Sequence, residues 1–255
     1  MTTFALRGGS AARRASALAC DVRGAGAPLL LIHTLGASGA MFAPALPALA
    51  ARHQLIVPDL RGHGRSRCLG APADVGRLAD DLVNLLDLLG IRRLAVLGYG
   101  YGSVIAQRLA ASAPERVDLL ALACTPAPSG RLGAATLPGA LHALGAAPLA
   151  ALAARASAAD ASAARAAMVP GDRAAIAAAG RALIPCDTAP WLPTITAPTL
   201  VLAAARDTLA PASHAAALAR RLPNATTRTI PGAGHWAIAT HTEAFVEALL
   251  PFLKD

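Results

Sequence analysis

Aromatic residues make up only 3% of this 255-residue chain, and lysine occurs once, at Lys254. Too few rings are present to offer a stacking surface for single-stranded nucleic acid. The formal charge of +8 at pH 7 comes from arginines scattered in ones and twos, such as Arg13-Arg14, Arg92-Arg93 and Arg220-Arg221. With no long basic run, a nucleic-acid partner is not expected. Cysteine is sparse too: Cys20, Cys68, Cys124 and Cys186 lie far apart, with no Cys-x-x-Cys or metal-type spacing. That pattern fits reduced thiols in a cytoplasmic protein better than a disulfide framework. Residues 24–51 and 132–154 carry no Asp, Glu, Lys or Arg, but Pro and Gly interrupt both, so neither reads as a membrane span. Met1–Ser10 lacks the apolar core of a signal peptide. Charged residues are 15% and hydrophobic residues 55%, which argues against disorder and leaves Leu, Val, Ile and Ala to fill the core.

Short apolar runs alternate with helical patterns, as in a parallel α/β sheet. Strands are expected at Pro28–His33, Gln54–Pro58, Leu94–Gly98, Asp118–Cys124, Thr199–Ala204 and Thr226–Ile230. Helices are expected at Ser38–Arg52, Asp74–Leu89, Gly102–Ala113 and His241–Leu253. In the second of these, Leu78, Leu82, Leu85, Leu86 and Leu89 share one face and Gly90 stops the helix. Residues 130–185 break the rhythm; they are Ala-rich, with Pro138, Pro148 and Pro170 as breakers, and read as small helices capping the sheet.

Three segments carry chemistry. Gly98-Tyr99-Gly100-Tyr101-Gly102-Ser103 joins a strand to a helix, the setting of a Gly-x-Ser-x-Gly nucleophile elbow, but Gly100 holds the central position and offers no atom to acylate. As a dinucleotide fingerprint the same glycines fail, because they lie deep in the chain and Glu115 follows a helix without a strand. Leu200–Pro211 puts Asp207 just past a strand, and Pro231-Gly232-Ala233-Gly234-His235-Trp236 puts a histidine in a Gly-rich loop after the last strand. A fourth segment, Asp59-Leu60-Arg61-Gly62-His63-Gly64-Arg65-Ser66, follows a strand and reads as a structural turn. His53, His142, His214 and His241 show no metal-ligand pattern, and neither a metal nor a cofactor is expected.

The order elbow, acid, histidine, with Ile195-Thr196-Ala197-Pro198-Thr199-Leu200-Val201 before the acid, resembles the α/β-hydrolases, in particular the 3-oxoadipate enol-lactonases and their relatives. The resemblance runs from Pro28 to Leu253 and is weakest over 130–185. It implies a mostly parallel twisted sheet flanked by helices, with a core over 1–129 and 186–255 and a helical cap over 130–185. It implies Asp207 and His235 as acid and base, and the backbone N–H groups of Tyr101 and Leu35 as an oxyanion hole. In His33-Thr34-Leu35-Gly36, Thr34 replaces the usual glycine or serine.

The family has Ser where Gly100 stands, so ordinary acyl-enzyme hydrolysis is not expected. His235 as a general base on a small-molecule substrate, backed by Asp207, would support elimination, retro-aldol-type cleavage, cyclisation, isomerisation or direct activation of water. Two alternatives stay open: an inactive hydrolase-like protein that binds a ligand, and a serine hydrolase whose nucleophile was replaced. Ser103 lies nearly one helical turn past Gly100 and Cys124 ends a core strand; neither is placed to substitute for the missing serine. Nothing in the sequence sets the oligomeric state. The Ala, Leu, Ile and Met168 content of the cap, with Trp191 and Trp236 near its hinge and the histidine loop, suggests an aliphatic or mixed small metabolite.

Overall fold

A computed structural model describes residues 2–4, 18–66, 74–128, 158–168 and 172–254. Cys68, His142, Pro138, Pro148, Pro170 and the larger part of the expected cap lie outside the described residues. The strands are β1 (Thr2–Phe4), β2 (Cys20–Arg23), β3 (Ala27–Ile32), β4 (His53–Pro58), β5 (Leu94–Tyr99), β6 (Val117–Ala123), β7 (Thr199–Ala204) and β8 (Ala225–Ile230). They form one sheet in the order β1-β2-β4-β3-β5-β6-β7-β8. The pairs β1–β2 and β2–β4 are antiparallel, and every other neighbouring pair is parallel.

The apolar runs are continuous because both faces of the sheet are covered. Successive side chains alternate between the faces. On β3, Leu30 and Ile32 join one core with Val96, Leu120, Leu122 and Val201. That core is shared with α2 (Val75–Leu88), α3 (Gly102–Ser112), α5 (Arg173–Leu183) and α6 (Ala212–Ala219). Leu29 and Leu31 face the other way, with Leu97, Tyr99, Leu200 and Leu202. Their cover is α1 (Leu46–Ala50), α4 (Ala158–Ala167), α7 (Ala237–Thr240) and α8 (Thr242–Leu249). Each fully buried Leu or Ile contributes about 1.5–3 kcal/mol relative to exposure, which suits a chain poor in rings.

Most boundaries fall within a residue of expectation. Asp74 accepts the Arg77 N–H and caps α2. Two expected helices are corrected. Ser38–Arg52 is not one helix: Gly39–Phe42 is a 3₁₀ turn and only Leu46–Ala50 is α-helical. Pro44 and Pro47 lack the N–H that a continuous helix needs, so Pro47 is tolerated only in the first turn of α1. The closing helix His241–Leu253 is shorter than expected: α8 ends at Leu249, Pro251 follows it and Phe252–Lys254 is a 3₁₀ turn, while the separate short helix α7 precedes His241. The antiparallel β1 and β2 were not expected at all.

Parallel strands feeding helices place all the loops after β3, β5, β6, β7 and β8 at one edge of the sheet. Packing there is tight. A Cβ on Gly102 would overlap the carbonyl oxygens of Ile32 and His33, so α3 starts directly against the end of β3. Gly102→Ala should therefore destabilise the protein by about 1–3 kcal/mol through overpacking. Urea denaturation reads this directly, and an unchanged midpoint would mean that the contact is slack.

Candidate active site

Gly100 sits between β5 and α3 at φ +54°, in the left-handed region that a sharp strand-to-helix turn requires. A Cβ built there would overlap Thr34 Oγ1, stand 3.0 Å from Thr34 Cβ and stand 3.6 Å from His235 Nε2. The elbow position, the histidine and the loop after β3 therefore meet at one point.

His235 Nδ1 and Asp207 Oδ2 are 2.8 Å apart, and both residues are buried. The other Asp207 oxygen accepts the N–H groups of Leu209 and Ala210, each at 2.8 Å. Burial alone would raise the Asp207 carboxyl, but the hydrogen bonds from His235, Ala210 and Leu209 outweigh it and hold the group below its ordinary value. One Asp207 oxygen thus closes the turn ahead of α6 and the other pairs with the histidine. An ionised Asp207 fixes the proton on Nδ1 and leaves Nε2 as the basic atom facing Gly100.

The loop carrying His235 is held from below and from the side. Tyr99 Oη donates to the His235 carbonyl at 2.7 Å, and the Trp236 N–H donates to Asp160 Oδ1 of α4 at 3.2 Å. The rings of His235 and Trp236 stand edge-to-face with centroids 6.1 Å apart. Neither Tyr99 nor Asp160 was among the expected site residues. Tyr99 lay hidden inside the glycine cluster, and Asp160 in Ala-rich sequence that gave no positional signal.

The alternative nucleophiles are poorly placed. Ser103 is fully buried, and its hydroxyl donates to the Gly100 carbonyl. Cys124 has φ +48° and its thiol donates to Tyr99 Oη at 3.5 Å. Burial first, and the neighbouring Asp207 charge second, push that thiol well above its ordinary pKa, so it stays protonated and weakly nucleophilic. Cys124, Asp207 and His235 each offer a ligand atom, and these lie within 4.8 Å of one another. Within the cluster His235 Nδ1 pairs with Asp207 Oδ2, and the Cys124 thiol donates outside it to Tyr99 Oη.

The expected oxyanion donors have different fates. The Tyr101 N–H is taken: it donates to Thr34 Oγ1 at 3.1 Å. Leu35 is buried in the core, and its N–H donates to no acceptor among the described residues. The motif Asp59–Ser66 is structural. Asp59 accepts the Gly39 N–H at 2.9 Å and both the N–H and Nε of Arg65 at 2.9 Å, tying the loops after β3 and β4 together.

The fold meets the expectations of one hydrolase architecture, and a family model for the alpha/beta hydrolase fold matches residues 27–242. The chain belongs to the α/β-hydrolase family. It is 35% identical over 241 residues to a putative carbamate hydrolase RutD from Caulobacter sp. strain K31, covering 89% of this chain and 90% of the relative. To the protein of the same name from Azorhizobium caulinodans it is 38% identical over 102 residues, spanning only 38% of that protein. The structure of a hydrolase from Pseudomonas aeruginosa PA01 superposes with a TM-score of 0.83 at 30% identity, covering 100% of this chain and 98% of the other. An enol-lactonase from Burkholderia xenovorans LB400 shares the fold with a TM-score of 0.83 at 23% identity, over the full length of both chains. No helix among the described residues is long and apolar enough to cross a membrane.

The loop bearing Thr34 is anchored by a buried imidazole. His33 Nε2 accepts the Leu60 N–H at 2.8 Å, so Nδ1 carries the proton and donates to the Thr34 carbonyl at 2.8 Å. Burial, with the adjacent His63 second, lowers the His33 pKa from 6.5 to about 3, and burial lowers His63 as well. Below pH 6.5 the unfolded chain binds protons here that the folded chain refuses, so stability is full above that pH and falls as the pH drops toward about 3. Urea midpoints should decline from pH 7 to pH 5, and His33→Gln should flatten part of that decline. A midpoint that rises on acidification would contradict a neutral buried pair.

Proposed function

We propose that this α/β-hydrolase acts on a small molecule with His235 as general base and Asp207 as its orienting partner, forming no covalent bond to the chain. The observation that carries this reading is the junction over Gly100. The basic Nε2 faces the place where a nucleophile would stand, and that place has no side chain of its own. A base so placed can take a proton from carbon or oxygen, which covers elimination, cyclisation and isomerisation. Direct activation of water fits the company the chain keeps, since its full-length relative is named a putative carbamate hydrolase. In that reaction water gives its proton to Nε2 while its oxygen attacks the carbonyl carbon. The carbonyl electrons return from the tetrahedral oxyanion, the bond to the leaving group breaks, and the imidazolium protonates that group. Asp207 offsets the imidazolium charge and stays ionised.

Hydrolysis of p-nitrophenyl acetate tests the reading. His235→Ala should lower kcat by about 10²–10⁴-fold, the usual contribution of a general base. Asp207→Asn should follow it most of the way, because the ring then carries its proton on the wrong nitrogen. Both variants should melt cooperatively. Full activity in folded His235→Ala would exclude the base.

A further inference from the structure

The described molecule holds one side chain at the junction over Gly100 that the base mechanism leaves unused. We propose that the Thr34 hydroxyl is a catalytic hydrogen-bond donor, standing in for the Tyr101 amide and holding the reacting oxygen over Gly100 opposite His235 Nε2. This inference rests on the base-only reading of the site and adds a second group to it.

Side chains at 34 and 100 compete for the same volume, since any Cβ on residue 100 would overlap Thr34 Oγ1. The absent side chain at 100 is therefore what admits the hydroxyl. The hydroxyl is oriented, not loose. It accepts the Tyr101 N–H at 3.1 Å, which occupies one lone pair and turns the O–H away from that amide. The proton has no acceptor among the described residues. Thr34 is 5% exposed, so an O–H without an acceptor there is costly until a ligand oxygen arrives. Its backbone is pinned, because the Thr34 carbonyl accepts both the Ala37 N–H at 3.1 Å and His33 Nδ1–H at 2.8 Å. A β-branched side chain on a pinned backbone keeps few rotamers.

The geometry favours a donor over a nucleophile. The lone pair that would attack is drawn toward the Tyr101 N–H, and no hydrogen bond joins the hydroxyl to His235. A hydroxyl that accepts from an amide also becomes a stronger donor. The oxyanion hole is thus extended by one atom: amide to hydroxyl, and hydroxyl to the developing negative charge on the reacting oxygen.

The test uses Thr34→Val, Thr34→Ser and His235→Ala with p-nitrophenyl acetate, each checked for folding by thermal melting. Thr34→Val should lower kcat by about 10²–10³-fold with KM nearly unchanged, the cost of removing one oxyanion donor. Thr34→Ser, which keeps the hydroxyl, should stay within a few-fold of the parent. A Thr34→Val protein at the parental rate overturns the donor while leaving an inactive His235→Ala to support the base. A pre-steady-state burst of one nitrophenolate per chain that disappears in Thr34→Val also overturns it, and makes Thr34 a nucleophile. Competition for volume gives a readout that survives a misfolded Thr34→Val. Gly100→Ser alone should give no burst, whereas Gly100→Ser with Thr34→Gly should give one. An equal burst from Gly100→Ser alone would show that the hydroxyl does not hold that place.

Discussion

The hydrogen bond between His235 Nδ1 and Asp207 Oδ2, 2.8 Å long and buried, is the interaction on which the rest of the site depends. It chooses the tautomer, and so decides that Nε2 is the basic atom. It is worth having only if Nε2 faces something, and the fold supplies that by bringing the loops after β3, β5, β7 and β8 to one edge. Tyr99 from β5 and Asp160 from α4 hold the histidine loop by its backbone, so the ring is aimed by the sheet on one side and by α4 on the other. An ionised carboxylate out of water is costly, and Asp207 meets that cost with three N–H donors.

In the proposed mechanism, a small change of side chains at Gly100 and Thr34 redirects the hydrolase scaffold. Moving the hydroxyl from the elbow to the loop after β3 keeps an oxygen at the junction but alters its electronic role. At the elbow an oxygen beside a base loses its proton and attacks. On Thr34 the oxygen accepts an amide hydrogen and presents its own proton. The base is then left to act on substrate or water, which is the chemistry proposed for this protein.

Much of this was legible in the sequence, for physical reasons. Runs such as Pro28–His33, short and continuously apolar, read as strands buried on both faces, and the Leu78–Leu89 periodicity reads as a one-sided helix. The order of glycine elbow, Asp207 and His235 pointed to the two residues that the structure joins by a hydrogen bond. What escaped depended on contacts between distant segments. Strands β1 and β2 are short and include polar residues, and β2 is defined by its partner β4 more than by its own pattern. Pro44 and Pro47 disturb the start of a helix over Ser38–Arg52 in the sequence, and in the structure they confine it to Leu46–Ala50. Thr34 was read only as a departure from a glycine or serine. Its meaning appears when residue 100, distant in sequence, lies beside it.

The account stands or falls on whether the chain itself is ever acylated. Intact-protein mass spectrometry on enzyme quenched during steady turnover of p-nitrophenyl acetate measures this directly. The predicted result is an unchanged chain mass while nitrophenolate accumulates at a rate that His235→Ala abolishes. An acetyl adduct approaching one per chain and mapping to Thr34, Ser103 or Cys124 would contradict the account and restore a covalent mechanism.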